Sequence, residues 1–499
     1  MTHSDRPIDT LLAAGLVLLV FLLLGPVLTI PLHVPLNTNE GWNAGFDTRA
    51  VLPGAGPLYP APGDFVFNNY PPLGFLIVGA AGRFVFGDMI LAGRILALAS
   101  MLAVAGLTGL IVRQLGGAVR PALAASLLLL LLACSFYRAY VAMDDPQWLA
   151  HAFMLAGLAV LLRGGTVQRR PPALWQIAAA AGLMVAGGFI KHNLVALPVA
   201  VTLWLLWLDR GVAAAWLVAA ALSVALGLGL TDAAYGDMAF LDVLRHHRTV
   251  KVSRLIYAAG ALAPLLPMAA IVGVLLRRRS AGNGVVLVAV FGTVALVTGI
   301  PQRLGDGVNY NAQFETLIAL CVGFGLALGG SWAARPSWRG RSAGPAWLCL
   351  AAALPIIGTA PWRLPAAWHD VTDRYARQAA WQPMIARIAS LPGPAGCEMP
   401  SLCIWAGKPL SVDVFNLTQS AMQGGPIAGF DAMVARRGFA SFEYGPASHT
   451  HSDAVSRLGY DPVMRPFAQA YAPVASGPGG SILLAPVQSP TSGDDGPGR

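Results

Sequence analysis

Residues 37–73 read NTNEGWNAGFDTRAVLPGAGPLYPAPGDFVFNNYPPL, with Asn39, Glu40, Gly41 and Trp42 near the start and Asn68, Asn69, Tyr70, Pro71, Pro72 and Leu73 at the end. This is a polar island between an apolar run at residues 11–30 and a chain that is apolar almost throughout. A polar stretch with a carboxylate, Trp42 and Tyr70, and a Pro-Pro return to apolar sequence, is where chemistry can be hosted.

The rest of the chain dictates the setting. Of 499 residues, 56% are hydrophobic and 11% charged, where ordinary soluble domains carry charge on about a quarter of theirs. Repeated apolar runs of about twenty residues are each long enough to cross roughly 30 Å of hydrocarbon as a helix. Lipid offers backbone groups no partners, and the runs lack the alternation of barrel strands, so the expected fold is an all-α polytopic bundle.

The net charge of +9 could suggest nucleic acid, but the basic residues cluster in short loops between apolar runs. That pattern is topology, and no nucleic-acid partner is expected. Five cysteines are too few for a disulfide framework. Cys134, Cys321 and Cys349 lie in apolar runs as small buried hydrophobes.

Residues 11–30 form an uncleaved first span, since no small-residue cleavage site follows. The first outer loop covers 31–70. Residues 71–87, interrupted by Arg83 and bounded by Gly87, suit a helix lying at the interface. Further spans fall near 90–115, 121–137, 148–162, 175–189, 194–208, 212–230, 255–276, 285–300, 314–328 and 346–361, about eleven crossings in all. Arg113 and Arg120, Arg163, Arg169 and Arg170, Arg210, Arg277 to Arg279, and Arg335, Arg339 and Arg341 then share one side, which the positive-inside rule makes cytoplasmic. The transmembrane domain is residues 1–361. An odd number of crossings sends the tail outside, where 362–488 reads as a small extracytoplasmic α/β domain and 489–499 as a disordered end. Within that domain Cys397 and Cys403 either bridge, as an oxidising compartment permits, or stay two thiols. Their spacing lacks the partners of a zinc site. Asn416, Leu417 and Thr418 match a glycosylation acceptor, a pattern too short to weigh.

Carboxylates beside a membrane are costly unless a cavity or partner stabilises them, which makes Glu40, Asp144 and Asp145 candidates. The bland alternative for Asp145 is capping the next helix, with Pro146 in its first turn. Arg245, His246, His247, Arg248, Lys251 and Arg254 form a basic loop on the side where such residues should be scarce. It holds a bound anion, contacts anionic headgroups, or marks a miscounted span. Lys191 and His192 add to the same field. Adjacent histidines point apart, so phosphate is favoured there over metal. Asn309, Tyr310, Asn311 and Glu315 contact a sugar or else cap and anchor a helix.

The order of these features resembles the GT-C superfamily of membrane glycosyltransferases, nearest to the aminoarabinose transferase and protein O-mannosyltransferase branch. Pro71-Pro72-Leu73, Phe86-Gly87 and Ala92-Gly93-Arg94 stand where that branch has Pro-Pro-Leu, Phe-Gly and Ala-Ala-Arg, and the likeness is best over 37–117. It implies inverting transfer of a sugar from a polyprenyl-phosphate donor to a glycan, lipid or protein acceptor at the outer face of the inner (plasma) membrane. Where the family has Asp-Glu in the first loop, this chain has Asn39-Glu40, so either Glu40 serves as the base, with Asp144 or Asp145 assisting, or the base lies elsewhere. Where the aminoarabinose branch has a phosphate-binding Lys before Pro-Pro, this chain has Asn69-Tyr70, so that role passes to Lys191, Arg245, His246, Arg248 and Lys251. Asn39, Trp42, Tyr70, Asn309 and Tyr310 are the expected substrate contacts. No metal ligands are assigned and no cofactor is required, though a divalent cation is allowed. The competing classes are a polysaccharide polymerase or ligase using a lipid-diphosphate donor, and a transporter, which should show mid-span charges and repeated halves.

Overall fold

A computed structural model describes residues 6–165, 171–245, 248–277, 282–333, 344–425, 427–445 and 463–487. The chain divides into two units, Met1–Pro31 with Asn69–Arg374, and Leu32–Asn68 with Tyr375–Arg499.

The first unit is a helical bundle. Eight helical stretches among the described residues are long and apolar enough to cross a membrane, including Arg6–Thr29, Met89–Gln114, Val119–Phe136, Arg210–Tyr235 and Asn283–Gln302. Four shorter apolar helices, Pro72–Phe86, Gln147–Leu161, Leu174–Ile190 and Ala196–Leu208, accompany them, where the sequence reading expects about eleven crossings. The segment read as interfacial is the helix Pro72–Ala81, which widens into a π-helical turn at Gly82–Phe86 with Phe84 and Val85 exposed.

Polar contacts tie each end of the bundle. At one end Arg120 pairs with Asp9 at 2.7 Å, Gln114 Nε2 donates to the Ala159 carbonyl at 2.9 Å, and Trp204 Nε1 donates to the Asn283 carbonyl at 2.8 Å. Arg113, Arg120, Arg163 and Arg210 sit at these helix ends, as the positive-inside count expects. Trp175, Trp207 and Trp347 are exposed there too, the amphipathic rings that mark a membrane–water boundary. At the opposite end Arg94, fully buried, donates to the Thr29 and Ile30 carbonyls at 3.1 Å each and so satisfies the C-terminus of the first span. Arg138 pairs with Asp370 at this end.

One boundary differs from the sequence reading. The last span does not stop at 361 but runs as Gly344–Thr372 through Pro355, Pro361 and Pro365. Lipid leaves helix as the only low-cost state, and within this helix the Thr359 Oγ1 donates back to the Pro355 carbonyl at 2.8 Å.

The second unit is α/β. Its strands are β1 (Ala395–Cys397), β2 (Ser441–Tyr444), β3 (Tyr471–Ser476) and β4 (Ile482–Pro486), in the order β1-β2-β4-β3. β1 and β2 are parallel, and the pairs β2–β4 and β4–β3 are antiparallel. Helices Pro400–Trp405, Val414–Met422 and Ala428–Ala435 fill the β1-to-β2 crossover that a parallel pair requires. The core is aromatic, with Phe442 and Phe467 ring centroids 4.3 Å apart and Phe430, Phe439 and Leu484 fully buried.

The stretch expected to be a polar loop belongs to this unit and is partly helical. Asn37 caps a helix over Thr38–Val51 by accepting from the Asn39 amide at 2.9 Å. That helix packs on Pro400–Trp405 so closely that a Cβ on Gly41 would lie 2.0 Å from the Ser401 amide nitrogen. Further on, Phe65 stacks edge-on against Phe430 at 5.3 Å, and its carbonyl accepts from the Asp413 amide at 2.7 Å. Residues 32–68 are therefore a built-in part of the α/β unit, beside the C-terminal segment expected to form it alone. Cys397 and Cys403 are disulfide-bonded. Asn416 is buried, with its amide on the Asp413 carboxylate, a poor position for a glycan.

Candidate functional site

The turn between Val119–Phe136 and Gln147–Leu161 carries Asp144 and Asp145. Its backbone is held in an unfavourable form at Ala142, whose φ of 54° costs a residue with a Cβ about 1 kcal/mol. The strain is offset by what the turn positions. Trp148 Nε1 donates to the Tyr140 carbonyl at 2.9 Å and its ring stacks on Phe314 at 4.3 Å, fixing the start of the following helix.

Asp144 is buried against Met89–Gln114, where a Cβ on Gly93 would fall 2.0 Å from its Cγ and 2.1 Å from its Oδ1. Gly93 is the position at which the resembled branch has alanine. Its missing methyl is the space that the Asp144 carboxylate occupies.

Asp145 does two things at once. Its Oδ1 accepts from the Gln147 amide at 2.8 Å, the capping role, and its two oxygens lie 3.1 and 3.4 Å from Lys191 Nζ. Lys191, at the end of Leu174–Ile190, is almost fully buried, and its ammonium lies 4.7 Å from the centre of the Tyr70 ring. Burial pulls the Lys191 pKa down, but the Asp145 carboxylate and the Tyr70 phenol outweigh it and hold the ammonium above its ordinary range. The His192 pKa, beside it, is pulled down by burial and by the nearby Lys191 and Arg248 charges. A fixed cation thus stands next to Tyr70, the residue immediately before Pro71-Pro72.

Arg248, Lys251, Arg254 and Arg303 converge on the turn 303–310. Arg248 Nη1 donates to the Asp306 carbonyl at 2.9 Å, Lys251 Nζ lies 3.5 Å from the Asp306 carboxylate, and Arg254 pairs with the same carboxylate. Arg254 and Arg303 both donate to the Val308 carbonyl, and the Arg303 guanidinium lies 5.2 Å from the centre of the Tyr310 ring. Burial, then the Arg254 charge, pulls the Arg303 pKa below its usual value. Three arginines and a lysine thus meet at the turn that carries Asp306.

A neutral polar group adjoins it. Gln147 exchanges contacts with Asn311, through the Asn311 carbonyl at 3.3 Å and the Asn311 amide at 3.2 Å, and reaches His151 Nε2 at 3.0 Å. Asn309 caps the turn at Tyr310 (2.8 Å), and Glu315 accepts from the Ala196 and Leu197 amides at the start of Ala196–Leu208, so the capping alternative describes both.

Of the expected site residues, Tyr70, Asp144, Asp145, Lys191, Arg248, Lys251, Asn309 and Tyr310 all lie in the bundle unit, and the Asp145–Lys191–Tyr70 group is brought into direct contact. Asn39, Glu40 and Trp42 belong to the α/β unit. There Glu40 is fully buried on Thr38–Val51, and Trp42 Nε1 donates to Asp413 Oδ2 at 2.8 Å. Arg245 closes the helix Asp237–Arg245, its side chain lies outside the described residues, and so does His246. Sequence reasoning did not single out Arg303, Asp306 or Gln147. Arg303 and Asp306 lie just before the Asn309 group, and only folding shows that the loop 248–254 closes on them.

This architecture, a multi-pass helical bundle with a small α/β unit, is a fold shared with solved membrane-protein structures. The chain is similar to the crystal structure of ArnT from Cupriavidus metallidurans in the apo state, with a TM-score of 0.64 and 14% identity over 96% of this chain and 98% of that one. It is also similar to the same protein bound to undecaprenyl phosphate, with a TM-score of 0.58, 15% identity and the same coverage. No protein-family model matches the sequence, and no curated protein does.

Proposed function

We propose that this protein is a membrane glycosyltransferase that moves a sugar from a polyprenyl-phosphate donor to a hydroxyl of a glycan, lipid or protein acceptor, with inversion, at the extracytoplasmic face of the plasma membrane. The observation that carries the reading is the convergence of Arg248, Lys251, Arg254 and Arg303 on one turn of a GT-C bundle. A phosphate is the anion that such a cluster suits, through charge-assisted hydrogen bonds. The similar ArnT structure, bound to undecaprenyl phosphate, supports a lipid-linked donor. The Cys397–Cys403 bond supports an oxidising compartment for the α/β unit, and therefore the outer face.

In the reaction, a carboxylate takes the acceptor hydroxyl proton while that oxygen attacks the anomeric carbon, a contribution of typically 10²- to 10⁴-fold. The bond from the anomeric carbon to the phosphate oxygen breaks, and the charge developing on the leaving phosphate is stabilised by fixed cations. Glu40 is the base that the resemblance puts forward, with Asp144 or Asp145 assisting. Arg248 and Lys251 hold the phosphate, and Lys191 supplies a further fixed charge beside Tyr70. A nucleotide-binding loop is not needed.

The test is transfer of radiolabelled sugar from a polyprenyl phosphate by purified protein. Glu40→Gln is expected to lower turnover at least a hundred-fold with donor binding intact, and retention of near wild-type transfer would remove Glu40 as the base. Arg248→Ala with Lys251→Ala should weaken donor binding. Turnover only with a lipid-diphosphate oligosaccharide would replace this reading by the polymerase or ligase class.

A further inference from the structure

The helix Thr38–Val51, which carries Glu40, is held on two of its faces by the segment that crosses from β1 to β2. One face is glycine. A Cβ on Gly41 would run into the Ser401 amide nitrogen, and one turn later a Cβ on Gly45 would lie 2.7 Å from the Leu410 Cβ. The adjoining face is aromatic, with the Trp42 and Phe46 rings edge-on at 4.7 Å. Trp42 is buried there, and its Nε1 donates to Asp413 Oδ2 at 2.8 Å. Asp413 is buried and fixed in its turn. Its amide donates to the Phe65 carbonyl at 2.7 Å, and its carboxylate accepts from the Asn416 amide at 3.0 Å and from the Asn416 side chain.

We infer that Asp413 is a positioning residue for Glu40 and acts through Trp42, an inference that rests on the reading of Glu40 as the base. Close contact at two glycines sets how near the helix lies to the crossover, but glycine has no side chain to resist rotation about the helix axis. Trp42 supplies that resistance. An indole has one N–H, which only donates, so its bond to the Asp413 carboxylate fixes where the edge of the ring stands. Residues two apart on a helix are turned about 200° from one another. Glu40 therefore projects from the side opposite Trp42, and a rotation that frees Trp42 swings Glu40 through the same angle. A displacement of about 1 Å at a reacting group costs on the order of 10²-fold in rate. Trp42, expected from the sequence to contact substrate, uses its N–H within the protein.

The experiment is steady-state transfer of radiolabelled sugar from a polyprenyl-phosphate donor by the purified full-length protein, with turnover expressed per donor-binding site. Asp413→Ala is expected to lower kcat by roughly ten- to a hundred-fold and to leave the KM for donor unchanged. Trp42→Phe, which keeps the bonds between Asp413 and Asn416, should show the same split. The double variant should be no slower than Asp413→Ala alone, because both changes break one linkage. A general loss of stability would instead reduce the number of donor sites and leave kcat per site as it was. If Asp413→Ala does not fold, Trp42→Phe carries the test. Wild-type kcat in a folded Asp413→Ala or Trp42→Phe protein, where Glu40→Gln abolishes transfer, would overturn the inference and leave Glu40 as the base. Losses that multiply in the double variant would also overturn it, since Asp413 would then act by a route other than Trp42. Near wild-type transfer by Glu40→Gln would remove the base assignment itself, and this inference with it.

Discussion

The Asp144 carboxylate rests directly on Gly93, at a separation that leaves no room for a single methyl group. The contact couples a motif on a membrane span to an acidic turn that follows it by some fifty residues of chain. It makes Gly93 the position that decides where Asp144 points.

Gly93→Ala is therefore expected to push Asp144 out of place. The new methyl would overlap Cγ and Oδ1, and overpacking of this kind costs about 1–3 kcal/mol. Sugar transfer should fall by at least ten-fold and the melting temperature should drop. If Gly93→Ala matched wild type in both, the turn would have slack that the packing does not show.

Lys191 and Asp145 form a buried ion pair, and removing one partner strands the other charge. Lys191→Met should destabilise the bundle by roughly 3–5 kcal/mol, whereas Lys191→Met with Asp145→Leu should recover much of that loss. Thermal unfolding of the two single variants and the double, read as a double-mutant cycle, measures the coupling. Additive losses would mean the pair does not act as a unit.

Glu443 on β2 is buried in the α/β unit, and its Oε2 accepts from the Met399 amide at 2.9 Å. Burial, opposed by that hydrogen bond and reinforced by the Glu398 charge, raises its pKa from 4.5 to about 8. An acid whose folded pKa exceeds its unfolded value binds a proton more tightly when folded, so its contribution is complete below 4.5 and is lost as pH rises through 8. Wild type should melt at a lower temperature at pH 9 than at pH 6, and Glu443→Gln should flatten that difference. A wild-type profile that is flat or rises over this interval would contradict the burial of an acid there.

The Cys397–Cys403 bridge closes a short loop, with a sequence separation of 6, at the end of β1. Chain-entropy arithmetic gives such a loop roughly 2 kcal/mol. Replacing both cysteines by serine should lower the melting temperature of the α/β unit by several degrees. The same shift is expected on adding reductant to wild type, and reductant should leave the serine variant unchanged.

Much of this architecture is present in the sequence because lipid imposes a simple rule. A run of apolar residues long enough to cross must be helical, so 11–30, 90–115 and 285–300 announce spans without reference to any neighbour. Arginines at the ends of those runs set which loops share a side, and that placed Tyr70, Asp145 and Lys191 together before any contact was known. One residue also spoke for itself where the chemistry is local: Asp145, placed before Pro146 as a capping residue, caps the following helix.

Other features required the fold. The helix Thr38–Val51 carries Glu40, Asn43 and Asp47 buried along it, and no apolar stripe announces a polar helix whose partners, Ser401 and Asp413, lie more than 350 residues away. The turn at Asp306 is an ordinary loop until Arg248, Lys251 and Arg254 arrive from a segment more than fifty residues earlier. The opening stretch, 37–73, shows the division most clearly. Sequence alone determined that it is polar, acidic and set apart from the spans, because those are properties of composition. Only tertiary structure decided that residues 32–68 build into the α/β unit while Asn69, Tyr70 and the Pro-Pro-Leu helix belong to the bundle, because that assignment depends on partners far along the chain.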